Sequence, residues 1–190
     1  SGVLPGGYLG VDVFFVVSGF LITTLLLRER AGSGGTRLGA FWIRRARRLL
    51  PALFLLLLVC SAVAAMIGGD VLVGLGVQIL AALTFSSNWA FIATGSAYFD
   101  AATPELFRNL WSLAVEEQFY LVWPILLVVL LVRIPRWARL SLVGVVAVGS
   151  AVLMALVWSP ADATRAYYGT DTHAFGLAAG AFLALLVGDG

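Results

Sequence analysis

The chain has 190 residues, of which 61% are hydrophobic and only 12% charged, with a formal charge of +2. That composition excludes an ordinary soluble domain, and the single Cys excludes an internal disulfide or a cysteine-built metal site. All twelve basic residues are Arg, so neither a P-loop lysine nor a Schiff-base lysine is available, and their clustering suits membrane orientation rather than nucleic-acid binding.

Several apolar runs approach the ~20 residues that cross a bilayer as helix. The chain is therefore predicted to be an all-α, polytopic transmembrane helical bundle embedded in lipid, with Trp and Tyr near segment ends as interfacial belts. The first helix is expected at 8–27, stopping at Arg28-Glu29-Arg30, with the loop AGSGGTRLGA (31–40) after it. FWIRRARRLLP (41–51) is basic and amphipathic and is expected to lie along the interface before a second helix at 49–67. The segment 71–92 is apolar but interrupted by Gly74, Gly76, Gln78 and SSNW (86–89), so it reads as short or broken. Helices follow at 110–132, 140–158 and 173–187, separated by an Arg-bearing loop (Arg133, Arg136, Arg139) and a polar loop at 159–172. Ser1 is not an initiator Met and Gly190 comes just after the apolar run 182–187, so 1–190 is read as a piece of one larger membrane domain. No cleavable signal peptide and no internal repeat is visible.

Seven of the twelve Arg lie between Arg28 and Arg48, which assigns that loop to the cytoplasm. Were 71–92 to cross fully, the loop at 133–139 would be outside. If the segment dips and returns, every basic loop is inside and the acidic stretches at 100–105 and 162–171 are outside. The dip is the favoured reading, and it puts Asp12 and Glu116 toward the outer half of the membrane on the same side.

Three constellations carry chemistry. Asp12 sits in the first turn of its helix, where the dipole favours a carboxylate, with Phe15, Val16, Gly19 and Thr23 on its face. It either caps that helix end or orients a catalytic base. Glu116 and Glu117 are the second: ionised acids in hydrocarbon cost several kcal/mol unless paired, hydrated or protonated. They point 100° apart, and Ser112, Glu116, Tyr120 and Trp123 form one polar-aromatic stripe. The alternative to function is a buried ion pair, for example with Arg108. Pro124 is expected to kink the helix just beyond. The third is the run Arg44, Arg45, Arg47, Arg48, read either as a topological anchor on anionic lipid or as a binding site for a multiply phosphorylated ligand. His173, the one histidine, reads as an interfacial or hydrogen-bonded residue rather than a catalyst. Nothing has metal-ligand spacing.

GYLGVDVFFVVSGFLIT (7–23), RRARRLLP (44–51), NLWSLAVEEQFYLVWP (109–124) and YYGTDTHAFGLAAG (167–180) together resemble, in this order, the acyltransferase-3 family of bacterial integral-membrane acyltransferases. The resemblance spans nearly the whole chain. It implies a multi-pass protein of the bacterial cytoplasmic (inner) membrane that moves an acyl group, usually acetyl, from acyl-CoA to a hydroxyl of a cell-envelope carbohydrate or other exported molecule. It implies acyl-CoA as a donor substrate rather than a bound cofactor, and no metal. Arg44, Arg45, Arg47 and Arg48 would meet the CoA phosphates, Asp12 and Glu116 would be catalytic, and Ser112, Glu117 and Tyr120 would bind substrate. The family carries an Arg and a presumed catalytic His on a helix ahead of the GVDVFF stretch, which this chain lacks, and often has Arg where His173 stands. Catalysis is then expected to need that upstream His, polarised by Asp12, as general base, with this piece alone inactive. The rival classes are a proton-coupled transporter or flippase of a glycan or lipid-linked substrate, and a non-catalytic membrane module.

Overall fold

A bilayer offers no water to backbone N–H and C=O groups, so an apolar run that spans it must close its own hydrogen bonds as helix. The computed structural model of the chain, described for residues 7–33, 36–95, 105–130 and 133–188, obeys this, with no strand among the described residues. Its helices are α1 (Gly7–Ser33), α2 (Leu38–Ile67), α3 (Leu75–Leu83), α4 (Ser87–Thr94), α5 (Leu110–Ile125), α6 (Arg136–Val157), α7 (Thr164–Tyr168) and α8 (Thr170–Gly188). A 3-10 turn at Gly69–Leu72 follows α2, and a π-helical turn at Leu126–Leu130 continues α5. Five segments are long and apolar enough to cross a membrane: 10–32, 38–67, 110–129, 136–157 and 164–188. Their outward faces are bare hydrocarbon-compatible surface, as at Leu58 (70% exposed) and Val145 (68%).

The basic stretch 41–51 does not form a separate interfacial segment. It lies within the first half of α2, a single helix of 30 residues, or about 45 Å, longer than the hydrocarbon layer. Such a helix can keep its arginines at the headgroups while the remainder spans. Pro51 sits inside it without ending it. The last helix likewise starts earlier than 173, and α1 runs on past 27 to Ser33. Most of the loop at 100–105, and residues 131–132, fall outside the described residues.

Contacts fix the directions of the helices. Along α1, Phe15, Ser18 and Thr23 meet Trp111, Glu116 and Trp123 of α5 in order, so these two are parallel. Trp42 and Arg45 of α2 meet Tyr120 and Glu117, so α2 runs opposite to α5. The chain therefore leaves α2 and enters α5 at the same end of the bundle. Between them, Gln78 accepts the Phe107 N–H near that end, while the α3–α4 turn reaches Gln118 about three helical turns further along. The segment 71–92 is therefore a helical hairpin, with its turn packed along α5. Phe85, at its tip, adopts a left-handed φ of 51°, unusual for a bulky residue, and its carbonyl accepts from the Gln118 amide at 2.7 Å.

Backbone-to-backbone approach joins α1 to α8. A Cβ on Gly180 would lie 1.9 Å from the Val16 carbonyl oxygen, and one on Gly19 2.0 Å from that of Leu177. Small residues allow this closeness where lipid supplies no hydrophobic drive between helices. Phe15 and Thr23, predicted on the same face as Gly19, are fully buried there. Gly180→Val is expected to separate the two helices and cost about 3 kcal/mol or more, read as a lowered thermal midpoint in detergent. Gly149→Ala, with nothing within 4 Å, should leave that midpoint unchanged.

Candidate active site

Glu116 is buried at 6% exposure, and three donors converge on its Oε1. The Ser18 hydroxyl of α1 donates to it, the Tyr120 hydroxyl donates at 2.7 Å, and Arg45 Nη2 stands 3.7 Å away. The Ser18 and Tyr120 hydroxyls also touch each other. No described residue bonds Oε2. Arg45 is held more tightly by Glu117, at 2.5 Å and 2.8 Å from Nη2 and Nε, and its guanidinium lies 3.5 Å above the Tyr120 ring. The partner of the paired acids is thus Arg45 of the basic run. Arg108 instead pairs with Glu105 at 3.1 Å.

Local backbone chemistry supports this cluster. Pro124 has no N–H, so the carbonyl of Tyr120, four residues back, lacks its helical partner. The Trp42 indole N–H takes that carbonyl at 3.0 Å, which pins α2 to α5 beside Arg45. The helix then widens into the π turn at Leu126–Leu130, just beyond Pro124.

A cavity of about 1060 Å³ opens between α1, α2 and α5, at the upper end for a small-molecule site. Its α1 wall is largely aliphatic, with Val17, Leu21 and Leu25. Ser18, Glu116 and Tyr120 line it, as do Arg28, Arg44 and Arg48. Arg44 is loosely engaged with Glu29 at 3.6 Å and its side chain is 63% exposed. Among the described residues no acid pairs with Arg28 or Arg48.

Of the expected site residues, the structure brings Glu116, Glu117, Tyr120 and Arg45 together and sets Arg44 and Arg48 on the same cavity. Arg47 is exposed and does not line it, and Ser112 only donates to the Asn109 carbonyl at 3.4 Å. Asp12 does not share the cavity wall with Glu116. Six residues along α1 turn the chain by about 600°, so where Ser18 faces α5, Asp12 faces α8. There its Oδ1 lies 3.3 Å from His173 Nδ1. Ser18, Trp42 and Arg28 were not singled out from sequence; only Ser18, beside the close-approach Gly19, carried a local signal. A further buried amide junction escaped notice too. Gln118 donates to Asn88 and Phe85 and accepts from Trp89 and Thr170, and Asn88 donates to the Tyr168 carbonyl. Among the described residues no group of His, Cys, Asp and Glu is arranged to hold a metal.

The family model described as an acyltransferase domain matches residues 3–187. The chain is 43% identical over 188 residues to the peptidoglycan O-acetyltransferase OatA of Listeria monocytogenes, covering 95% of this chain and 30% of that protein. It is 41% identical over 184 residues to YrhL of Bacillus subtilis, provisionally named a peptidoglycan O-acetyltransferase, covering 95% and 29%. The chain thus spans under a third of the length of these relatives. No solved structure gives a significant match. A membrane helical bundle and a match over almost every residue agree: the chain belongs to the acyltransferase-3 family of integral-membrane acyltransferases.

Proposed function

We propose that this chain forms the donor-binding and part of the reacting centre of an O-acyltransferase of the bacterial inner membrane. In this reading it transfers acetyl from acyl-CoA to a hydroxyl of a cell-envelope carbohydrate such as peptidoglycan. The observation that carries the reading is the cavity lined both by Glu116 and by Arg28, Arg44 and Arg48, of which Arg28 and Arg48 pair with no acid among the described residues. Arg28, Arg44 and Arg48 offer forked donors to the phosphates of the donor. The aliphatic α1 wall accepts its arm. Glu116, with Oε1 held by Ser18 and Tyr120, keeps Oε2 for the acceptor hydroxyl, either orienting it or taking its proton as a base. Arg45 offsets one of the two negative charges and so eases the coexistence of the acids in a low-dielectric site.

The experiment is transfer of labelled acetyl from acetyl-CoA to a peptidoglycan fragment by reconstituted full-length protein. Arg28→Gln with Arg48→Gln should raise the KM for acetyl-CoA about ten-fold or more with kcat little changed. Unchanged KM would leave these arginines as lipid anchors. The α3–α4 hairpin and a buried acid also suit a transporter; glycan movement without acyl-CoA-dependent transfer would favour that reading.

A further inference from the structure

His173 is buried at 5% exposure at the start of α8, and its ring is boxed by Phe15, Trp111, Tyr167 and Phe175, with centroids 5.7, 5.2, 6.0 and 6.3 Å away. Its Nε2 is 2.7 Å from the Tyr167 carbonyl oxygen. A carbonyl only accepts, so Nε2 carries a hydrogen. In the neutral ring that leaves Nδ1 as a bare lone pair. Yet Nδ1 lies 3.3 Å from Asp12 Oδ1, and both atoms are shielded from solvent with no hydrogen-bond partner. Two buried acceptors facing each other would repel and both would go unsatisfied. One added proton between them removes both penalties, and the surrounding π faces favour the cation it creates.

We infer that Asp12 and His173 hold one proton in common, and that His173 is the positioning residue that fixes the Asp12 carboxylate against α8. The fold is built to deliver this contact. Gly176, one turn along α8 from His173, lets the Asp12 backbone approach, where a Cβ would lie 3.1 Å from that of Phe15 and 3.4 Å from the Asp12 carbonyl oxygen. The Tyr167 carbonyl then sets the ring rotation. With Oδ1 committed, the Asp12 side chain is still 28% exposed. The shared proton stands on this geometry alone; its consequence for turnover rests on the acyltransferase reading.

The test is nitrogen NMR of the lipid-reconstituted full-length protein labelled with 15N-histidine, with His173 assigned by comparison with His173→Gln. Both His173 ring nitrogens are expected to be protonated in the wild type, with the Nδ1 proton lost in Asp12→Asn and kept in Asp12→Glu. A neutral ring with bare Nδ1 in the wild type would overturn the inference before any variant is made. So would a second proton that survives Asp12→Asn. In the acylation assay, His173→Gln should lower kcat about ten-fold or more, and His173→Arg, a fixed cation, should restore most of it. Equal loss in both variants would make His173 a packing residue. Absence of acylation in the wild type would defeat the acyltransferase reading and leave the spectroscopic result standing.

Discussion

Glu116→Gln should abolish acetyl transfer by the full-length protein, with kcat falling about 10²–10⁴-fold, while expression and membrane insertion persist. The substitution keeps the shape and one carbonyl-type acceptor, so Ser18 and Tyr120 can still bond to the position of Oε1. What disappears is the negative charge and the basicity of the second oxygen, the atom no described residue occupies. Structural damage is correspondingly small, because Arg45 retains its tighter partner Glu117. Ser18→Ala is the informative companion. It removes one of the bonds that hold Oε1 and should lower the rate by about ten-fold, far less than loss of the carboxylate itself. If Glu116→Gln turned over normally with acceptor saturating, Glu116 would be a structural acid, and the cavity's chemistry would have to come from elsewhere.

The transmembrane helices were legible because hydrocarbon imposes a length and a composition that few other contexts tolerate. The break in 71–92 is written in Gly74, Gly76 and SSNW, and the structure has two short helices there, α3 and α4, joined by a turn at Phe85. Local rules failed where a segment satisfies two of them at once. Residues 41–51 read as an interfacial helix because they are amphipathic and basic, but nothing between them and Leu57 breaks a helix except Pro51, and the chain continued through it. The acids were visible as anomalies, whereas their partners were not. Arg45 lies 72 residues from Glu117, and no periodicity within α2 distinguishes it from Arg44 or Arg47. The same limit governs Asp12. Its distance from Glu116 depends on which face of α1 meets α5, and the Gly19–Leu177 and Gly180–Val16 approaches decide that by packing α8 against the other side.

Arg45→Gln should be the most destabilising single change at the site, by about 2–4 kcal/mol, and the loss should be largely recovered by adding Glu117→Gln. The reasoning turns on what each variant leaves behind. The Arg45 and Glu117 side chains are 28% and 13% exposed, so neither charge is well hydrated once its partner is gone, and removing the cation strands Glu117 with Glu116 as its neighbour. Glu117→Gln alone strands less, because Arg45 can turn its full charge to Glu116, 3.7 Å away, and keeps its place over Tyr120. It should therefore cost only about 1 kcal/mol. The double variant has one acid, no cation and two neutral side chains able to bond each other, so its thermal midpoint in detergent should lie well above that of Arg45→Gln. Strict additivity in this cycle would mean that the two residues do not interact, contrary to their 2.5 Å contact. The same cycle separates anchoring from assembly of the site. An arginine that only grips lipid would show no dependence on Glu117 at all, and topology tags would move in Arg45→Gln whether or not the acid was present.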